Sequence, residues 1–151
     1  MPEVETEFLF RAEIDLQAPQ LVGQTPQGNR MIFFGERGTF EGPKLKGRFL
    51  AGGDWFLLRP DGAGELDVRA TLRTDDGQLI YMTYRGILDA APAVMTRIFG
   101  RQPVERSEYY FRIAPTFQTA SPQYAWLNRI QAIGLGEVTV SGVAYDVYAL
   151  R

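Results

Sequence analysis

"ELDVRATLRTDDGQLIYMTYRGIL", residues Glu65 to Leu88, sets two runs of alternating character on either side of an Asp-Asp-Gly turn. In the first run Leu66, Val68, Ala70 and Leu72 share one face, while Glu65, Asp67, Arg69, Thr71 and Arg73 share the other. Side chains two positions apart point the same way along a strand, so this is the pattern of a half-buried strand and not of a helix. A glycine-containing turn between two such runs predicts an antiparallel hairpin. Asp75 and Asp76 look like a carboxylate dyad, but ahead of Gly77 they read first as turn residues.

The alternation continues outward from the hairpin. "ETEFLFRAEID" opens the chain with acidic and apolar residues exchanging places, and "NRMIFFGERGTF" follows the turn "TPQGN" as a second strand that Gly35 and Gly38 let bend. "RFLAGGDWFLLRPDGAGE" predicts a strand, a kink at Gly52 and Gly53, a further short strand and a turn. Residues 89 to 102, "DAAPAVMTRIFGRQ", break the pattern and predict a short helix or a loop covering one end of the sheet. "RSEYYFRIAPTF" is a strand stopped by Pro115, and "SPQYAWLNR" starts with Ser121-Pro122 as a helical turn does. The last residues form a closing hairpin that turns near Gly134, Gly136 or Gly142. Many short strands, little helix and no linker predict one all-β domain over residues 1–151, an antiparallel barrel of about eight strands with one or two short helical turns. Such a barrel is just wide enough to be filled by side chains or to hold one small ligand.

Composition narrows the chemistry. The chain has 151 residues and a formal net charge of -2, with basic residues scattered beyond the short "KLK", so nucleic acid is a poor partner. No apolar run is long enough for a membrane span, and the acidic start "MPEVETEF" is unlike a signal peptide, so the expectation is a cytoplasmic protein. There is no histidine and no cysteine, which removes thiolate and imidazole catalysis, the serine-histidine triad and the usual zinc ligands. The expectation is therefore no metal and no cofactor. The only lysines, Lys44 and Lys46, lie in a loop-like stretch unsuited to a buried Schiff base. Any reaction must use Asp, Glu, Tyr, Arg, hydroxyl, amide or backbone groups.

Few residues fit that requirement. Asp67 and Arg69 share one strand face about 6.8 Å apart, twice the strand rise. If that face looks outward it is a solvated stripe; if it looks into a barrel, it is an acid/base and anion-holding pair, each group costly to bury without the other. Asp54, between Gly-Gly and Trp55, is either a turn aspartate or a base. Tyr81 and Tyr84 fall on opposite faces, as do Tyr109 and Tyr110, with Arg112 on the Tyr110 side. Such tyrosines serve as core filler or as proton donors, and Trp55 and Trp126 either pack or bind a ligand. The glycines of "GERGTFEGPKLKG" lack the strand-loop-helix context and the Gly-Lys-Ser/Thr ending of a phosphate loop.

Three motifs in order, "GERGTFEGPKLKGRFLAGGDWFLLRPDG", "LDVRATLRTDDGQLIYMTYRG" and "YYFRIAPTFQTASPQYAWLNR", resemble the DUF3237 family, also called UPF0311, of small bacterial and fungal proteins. The resemblance covers most of the chain from about Arg30 onward and implies an up-and-down barrel, lipocalin-like in outline. It also implies signature positions at Asp54-Trp55, Asp67 and Arg69, Tyr110 and Arg112, and Trp126 and Asn128, and hence a polar face turned into a small-molecule pocket.

On this reading Asp54, Asp67, Arg69 and Tyr110 are catalytic candidates, and Trp55, Tyr81, Arg112, Trp126 and Asn128 line the substrate. The leading function is a cofactor-independent lyase, isomerase or hydratase acting on a small carbonyl or carboxylate compound, with a carboxylate as acid/base and arginine stabilising the oxyanion. The alternative is a carrier or sensor of a small apolar acid. A third reading is a module that assembles with copies of itself through strand edges. A carboxyl lifted toward neutrality favours the enzyme, and one held low by an arginine favours the carrier.

Overall fold

Hydrophobic alternation in a closed antiparallel sheet leaves one place for a core, the lumen. The computed structural model describes residues 1–151 and realises that arrangement. Its strands are β1 (Thr6–Leu16), β2 (Gln20–Thr25), β3 (Gly28–Glu41), β4 (Lys46–Leu58), β5 (Gly64–Thr74), β6 (Leu79–Ala90), β7 (Tyr109–Ile113), β8 (Thr116–Gln118), β9 (Ala132–Val138) and β10 (Gly142–Leu150). One α-helix, α1 (Pro92–Phe99), follows β6, and 3-10 helices cover Arg106–Glu108 and Pro122–Arg129.

Every pairing is antiparallel, and the sheet runs β1-β10-β9-β7-β6-β5-β4-β3-β2. It closes because β1 pairs a second time, with β3: Ala12 stands opposite both Tyr145 of β10 and Phe40 of β3. β7 and β8 share one stave, β7 on the far half of β6 and β8 on the near half, with Pro115 between them. β2 pairs with β3 alone, beyond the point of closure. The result is the eight-stave antiparallel barrel the alternation predicts.

The elements differ from the sequence reading in detail. β4 is one continuous strand with a bulge between Phe49 and Ala51, where two strands and a kink were expected. The last hairpin turns between Val138 and Gly142, with Gly134 and Gly136 inside β9. Residues 89 to 102 resolve into the end of β6, then α1 with Pro92 in its first turn.

The two ends of the barrel are unlike. One is plugged: Phe10 packs edge-on against Phe40 and Phe117, at 5.5 and 6.1 Å between ring centroids, and the second 3-10 helix, packed on β8, buries Leu127 fully. At the other, α1 buries Met95 and Ile98 and sets Phe99 edge-on to Phe56 at 5.7 Å, leaving the lumen open beside it. The wall's weakest seam lies between β7 and β9, which share only the pairs Arg112–Leu135 and Ile113–Gly134. Side chains help seal it, with the Tyr109 hydroxyl accepting the Val138 N–H at 2.8 Å and Gln131 Nε2 donating to the Pro115 carbonyl at 3.2 Å.

Candidate functional site

The bulge in β4 decides what faces the lumen. Phe49 points inward at an odd position, and the extra residue after it shifts the phase so that Asp54 and Phe56 point inward at even ones. Gly52 permits the close approach this needs: its φ is +156°, and a Cβ there would lie 2.3 Å from the Arg69 carbonyl oxygen.

Asp54 is thereby the one charged residue of an inner cavity of 50 Å³ walled mainly by apolar side chains, among them Phe33, Phe49, Val68 and Met82. It also lines a larger cavity of 310 Å³ that opens at the mouth between α1, the start of β2 and the β9–β10 turn. A mostly apolar cavity with few convergent polar groups is the usual form of a small-molecule site. The β4–β5 ladder has no bridge at Trp55 or Phe56, and there the Asp54 carboxylate accepts the Asp67 N–H at 3.0 Å.

Burial raises the Asp54 carboxyl to about 7, because an ionised carboxylate is poorly solvated in this lumen. The Asp67 N–H bond and the charge of Arg30 oppose the rise, and the Asp67 carboxylate adds to it. No arginine forms an ion pair with Asp54; Arg30 donates instead to the Trp55 carbonyl, at 2.6 Å.

Two tyrosines complete the polar content of the inner cavity. Asp54, Val68 and Tyr84 stand in register across β4, β5 and β6, so Asp54 and Tyr84 flank Val68 with their backbones about 10 Å apart, two strand spacings. Tyr145 of β10 meets Tyr84 edge-on at 5.3 Å between centroids. Burial first, and the nearby Asp54 charge, push both phenols above the usual tyrosine range, so they stay protonated donors.

The other candidates lie elsewhere. The polar face of β5 looks outward: Arg69 is exposed, and the half-buried Asp67 faces Arg85 at 3.9 Å. The apolar face fills the lumen instead, because burying Asp67 and Arg69 there would strip both of water at a cost their mutual attraction does not repay. Tyr81, Trp55 and Tyr110 are also on the outer wall, Trp55 edge-on to Phe34 at 6.1 Å and Tyr110 under the Arg112 guanidinium at 5.0 Å. Trp126 is half-buried beneath the Lys44 ammonium at 5.3 Å. Asn128 clamps the Thr119 backbone, accepting its N–H at 2.8 Å and donating to its carbonyl at 2.9 Å. These residues do not converge with Asp54.

Sequence reasoning weighed Tyr84 but chose Tyr81 for the site, and it passed over Tyr145 and, at the mouth, Arg101. The two lumen tyrosines carry a legible signal, because Tyr84 shares its face with Ile80, Met82 and Leu88, and Tyr145 shares its face with Val143, Val147 and Ala149. Asp75 and Asp76 sit at the plugged end as the turn reading requires: Asp76 accepts from the Thr74 hydroxyl and, at 3.2 Å, from the Tyr124 hydroxyl.

Known proteins with this architecture match over nearly the whole chain. The model of the family described as "Protein of unknown function (DUF3237)" matches residues 4–150. A UPF0311 protein of Clostridium acetobutylicum is 35% identical over 127 residues, covering 83% of this chain and 80% of the relative. A conserved protein of unknown function from Rhodopseudomonas palustris superposes with a TM-score of 0.96 at 27% identity, covering 100% of both chains. A β-barrel-like protein from Acinetobacter baumannii does so with a TM-score of 0.86 at 36% identity, covering 100% of this chain and 98% of that one. With the family model matched over residues 4–150, its relatives' sequence identity and the shared barrel, the chain belongs to the DUF3237 family.

Proposed function

We propose that the lumen binds a small, largely apolar carbonyl or carboxylate compound and that Asp54 moves a proton on it, in a cofactor-independent lyase, isomerase or hydratase reaction. The observation that carries this reading is Asp54 itself, a carboxyl in an apolar cavity with no arginine paired to it. A carboxylate kept for binding alone gains nothing from such a place, whereas an acid/base must have its pKa near the working pH.

With its carboxyl near 7, Asp54 is present in both protonation states around neutrality. It takes a proton from carbon beside a carbonyl in one state and returns it in the other. The space above Val68, between Asp54 and Tyr84, is the place for the reacting atoms. Tyr84 and Tyr145, both protonated, supply the hydrogen bonds to the oxygen on which charge develops, the role first given to arginine. Arg69 and Arg112 lie outside the barrel and take no part.

The test is proton exchange rather than a guessed turnover. Tetralone, an aryl ketone of suitable size, is incubated with the protein in heavy water, and loss of its α-proton signal is followed by NMR. Accelerated exchange with the wild type, lost in Asp54→Asn and slowed in Tyr84→Phe, is the expected result. Binding of the ketone without any acceleration would leave the carrier reading in its place.

A further inference from the structure

The mouth cavity has two charged residues in its lining, Asp54 toward its floor and Arg101 at its rim. Arg101 follows the C-terminus of α1, after Gly100, and donates its backbone N–H to the Ile98 carbonyl at 3.1 Å. Its φ is 56°, and it is the chain's only non-glycine residue with positive φ. A glycine is the ordinary occupant of that conformation after a helix, so the backbone alone does not call for an arginine here.

The surrounding charges make the position distinctive. Arg97 of the same helix is neutralised by Glu108 at 2.6 Å, and Arg106 is held between Glu137 and Asp146 at 3.7 and 3.6 Å. Arg101 enters none of the ion pairs of the molecule. Around it the cavity is apolar: Ile98 and Phe99 lie on one side, and Leu21 and Val140, 72% and 62% exposed, lie at the rim. Exposed aliphatic side chains at a cavity mouth gain most when an apolar ligand covers them.

We infer that the ligand is an apolar organic acid held head-outward, its carboxylate on the Arg101 guanidinium and its apolar body running down the lumen toward Asp54. This rests on the lumen being the ligand site and fixes the orientation within it. The reverse orientation would carry the ligand carboxylate away from the one guanidinium of the lining and set it against Asp54, which repels it whenever that carboxyl is ionised. A guanidinium at the water boundary suits a carboxylate, which it grips through two parallel N–H donors while both remain partly hydrated. The acidic group thus positions the molecule and is not the group that reacts.

A matched pair of probes separates this from general greasiness of the pocket. Naphthoate and naphthylmethanol share a ring system and differ in charge; each is titrated calorimetrically into the full-length wild type, Arg101→Gly and Arg101→Gln. The wild type is expected to hold naphthoate about tenfold or more tighter than the alcohol, the scale of one charge-assisted contact. Both variants should bring the two affinities together by weakening naphthoate alone. Arg101→Gly should keep the wild-type melting temperature, because glycine accepts the positive φ at that position. Equal affinities in the wild type, or a preference that survives both substitutions, would overturn the arginine anchor and leave the lumen site standing. Binding of neither probe would overturn the lumen site and the anchor together.

Discussion

The Asp54 carboxylate accepts the Asp67 N–H at 3.0 Å, at the point where the β4–β5 ladder lacks its own hydrogen bonds. A side chain inside the barrel thus stitches two wall strands, and the same bond fixes where that carboxyl sits. Wall integrity and the candidate acid/base are one piece of structure. Changes at Asp54 should therefore be read with an isosteric amide, which preserves the acceptor.

Stability should fall as pH rises toward neutrality, because of Asp54. Its carboxyl is at about 7 in the fold against an ordinary 3.8 for aspartate, so between these pH values the folded state holds a proton that the unfolded state has lost. The slope of unfolding free energy with pH is then negative, and the loss is complete above the folded value. It amounts to at most roughly 4 kcal/mol, and less where the lumen admits water. Urea denaturation from about pH 5 to pH 8 should show this decline in the wild type and its absence in Asp54→Asn. The same decline in both proteins would place its origin elsewhere.

Substitutions on the outer wall should leave the lumen alone. Arg69→Ala, Arg112→Ala, Tyr81→Ala and Tyr110→Ala are expected to bind naphthoate as the wild type does, with stability changes near 0.5 kcal/mol, the scale of surface substitutions. Asp67→Asn should differ in one respect. The Asp67 charge raises the Asp54 carboxyl, so its removal should move the pH-dependent decline to lower pH while binding is kept.

Gly52→Ala should distort the pocket as well as weaken the fold. The added methyl would meet the Arg69 carbonyl oxygen at 2.3 Å and the Ala70 Cα at 2.8 Å, and backbone on the facing strand has little room to give. A cost of about 1–3 kcal/mol in chemical denaturation is expected. Loss of the α-proton exchange on tetralone under conditions where the variant remains folded would show that the bulge also places Asp54.

The plugged end should report on stability without touching ligand. Leu127, fully buried in the second 3-10 helix, should cost about 2–5 kcal/mol when replaced by alanine. Naphthoate affinity measured well below the new melting temperature should match the wild type.

The barrel was legible in the sequence because alternation and turn chemistry agree along most of the chain, most plainly in the hairpin from Glu65 to Leu88. The orientation of the faces was less so. Alternation separates the two sides of β5 but does not label them, and the apolar side, with Val68 and Ala70, took the lumen because nothing there could solvate Asp67 and Arg69. In β4 the difficulty is phase. Counted straight from Phe49, Trp55 would face inward and Asp54 outward; the bulge reverses this, and glycines tolerate a bulge without announcing which residue it inserts. Arg101 left no trace in the pattern, since its place depends on where α1 ends against the mouth.

The double pairing of β1 also constrains how the molecule is made. Thr6 finds its partner at Leu150, so one flank of the first strand stays open during synthesis until β10 has been translated. Meanwhile β3 to β6 can assemble from consecutive hairpins, and Phe40 and Phe49 are exposed on an unfinished curved sheet. Joining strands so distant in sequence is the slow step of such topologies. The nascent chain is therefore most vulnerable to association with its neighbours in the interval between completing β6 and docking β10, when the sheet has two free edges and no lumen to hide its apolar face.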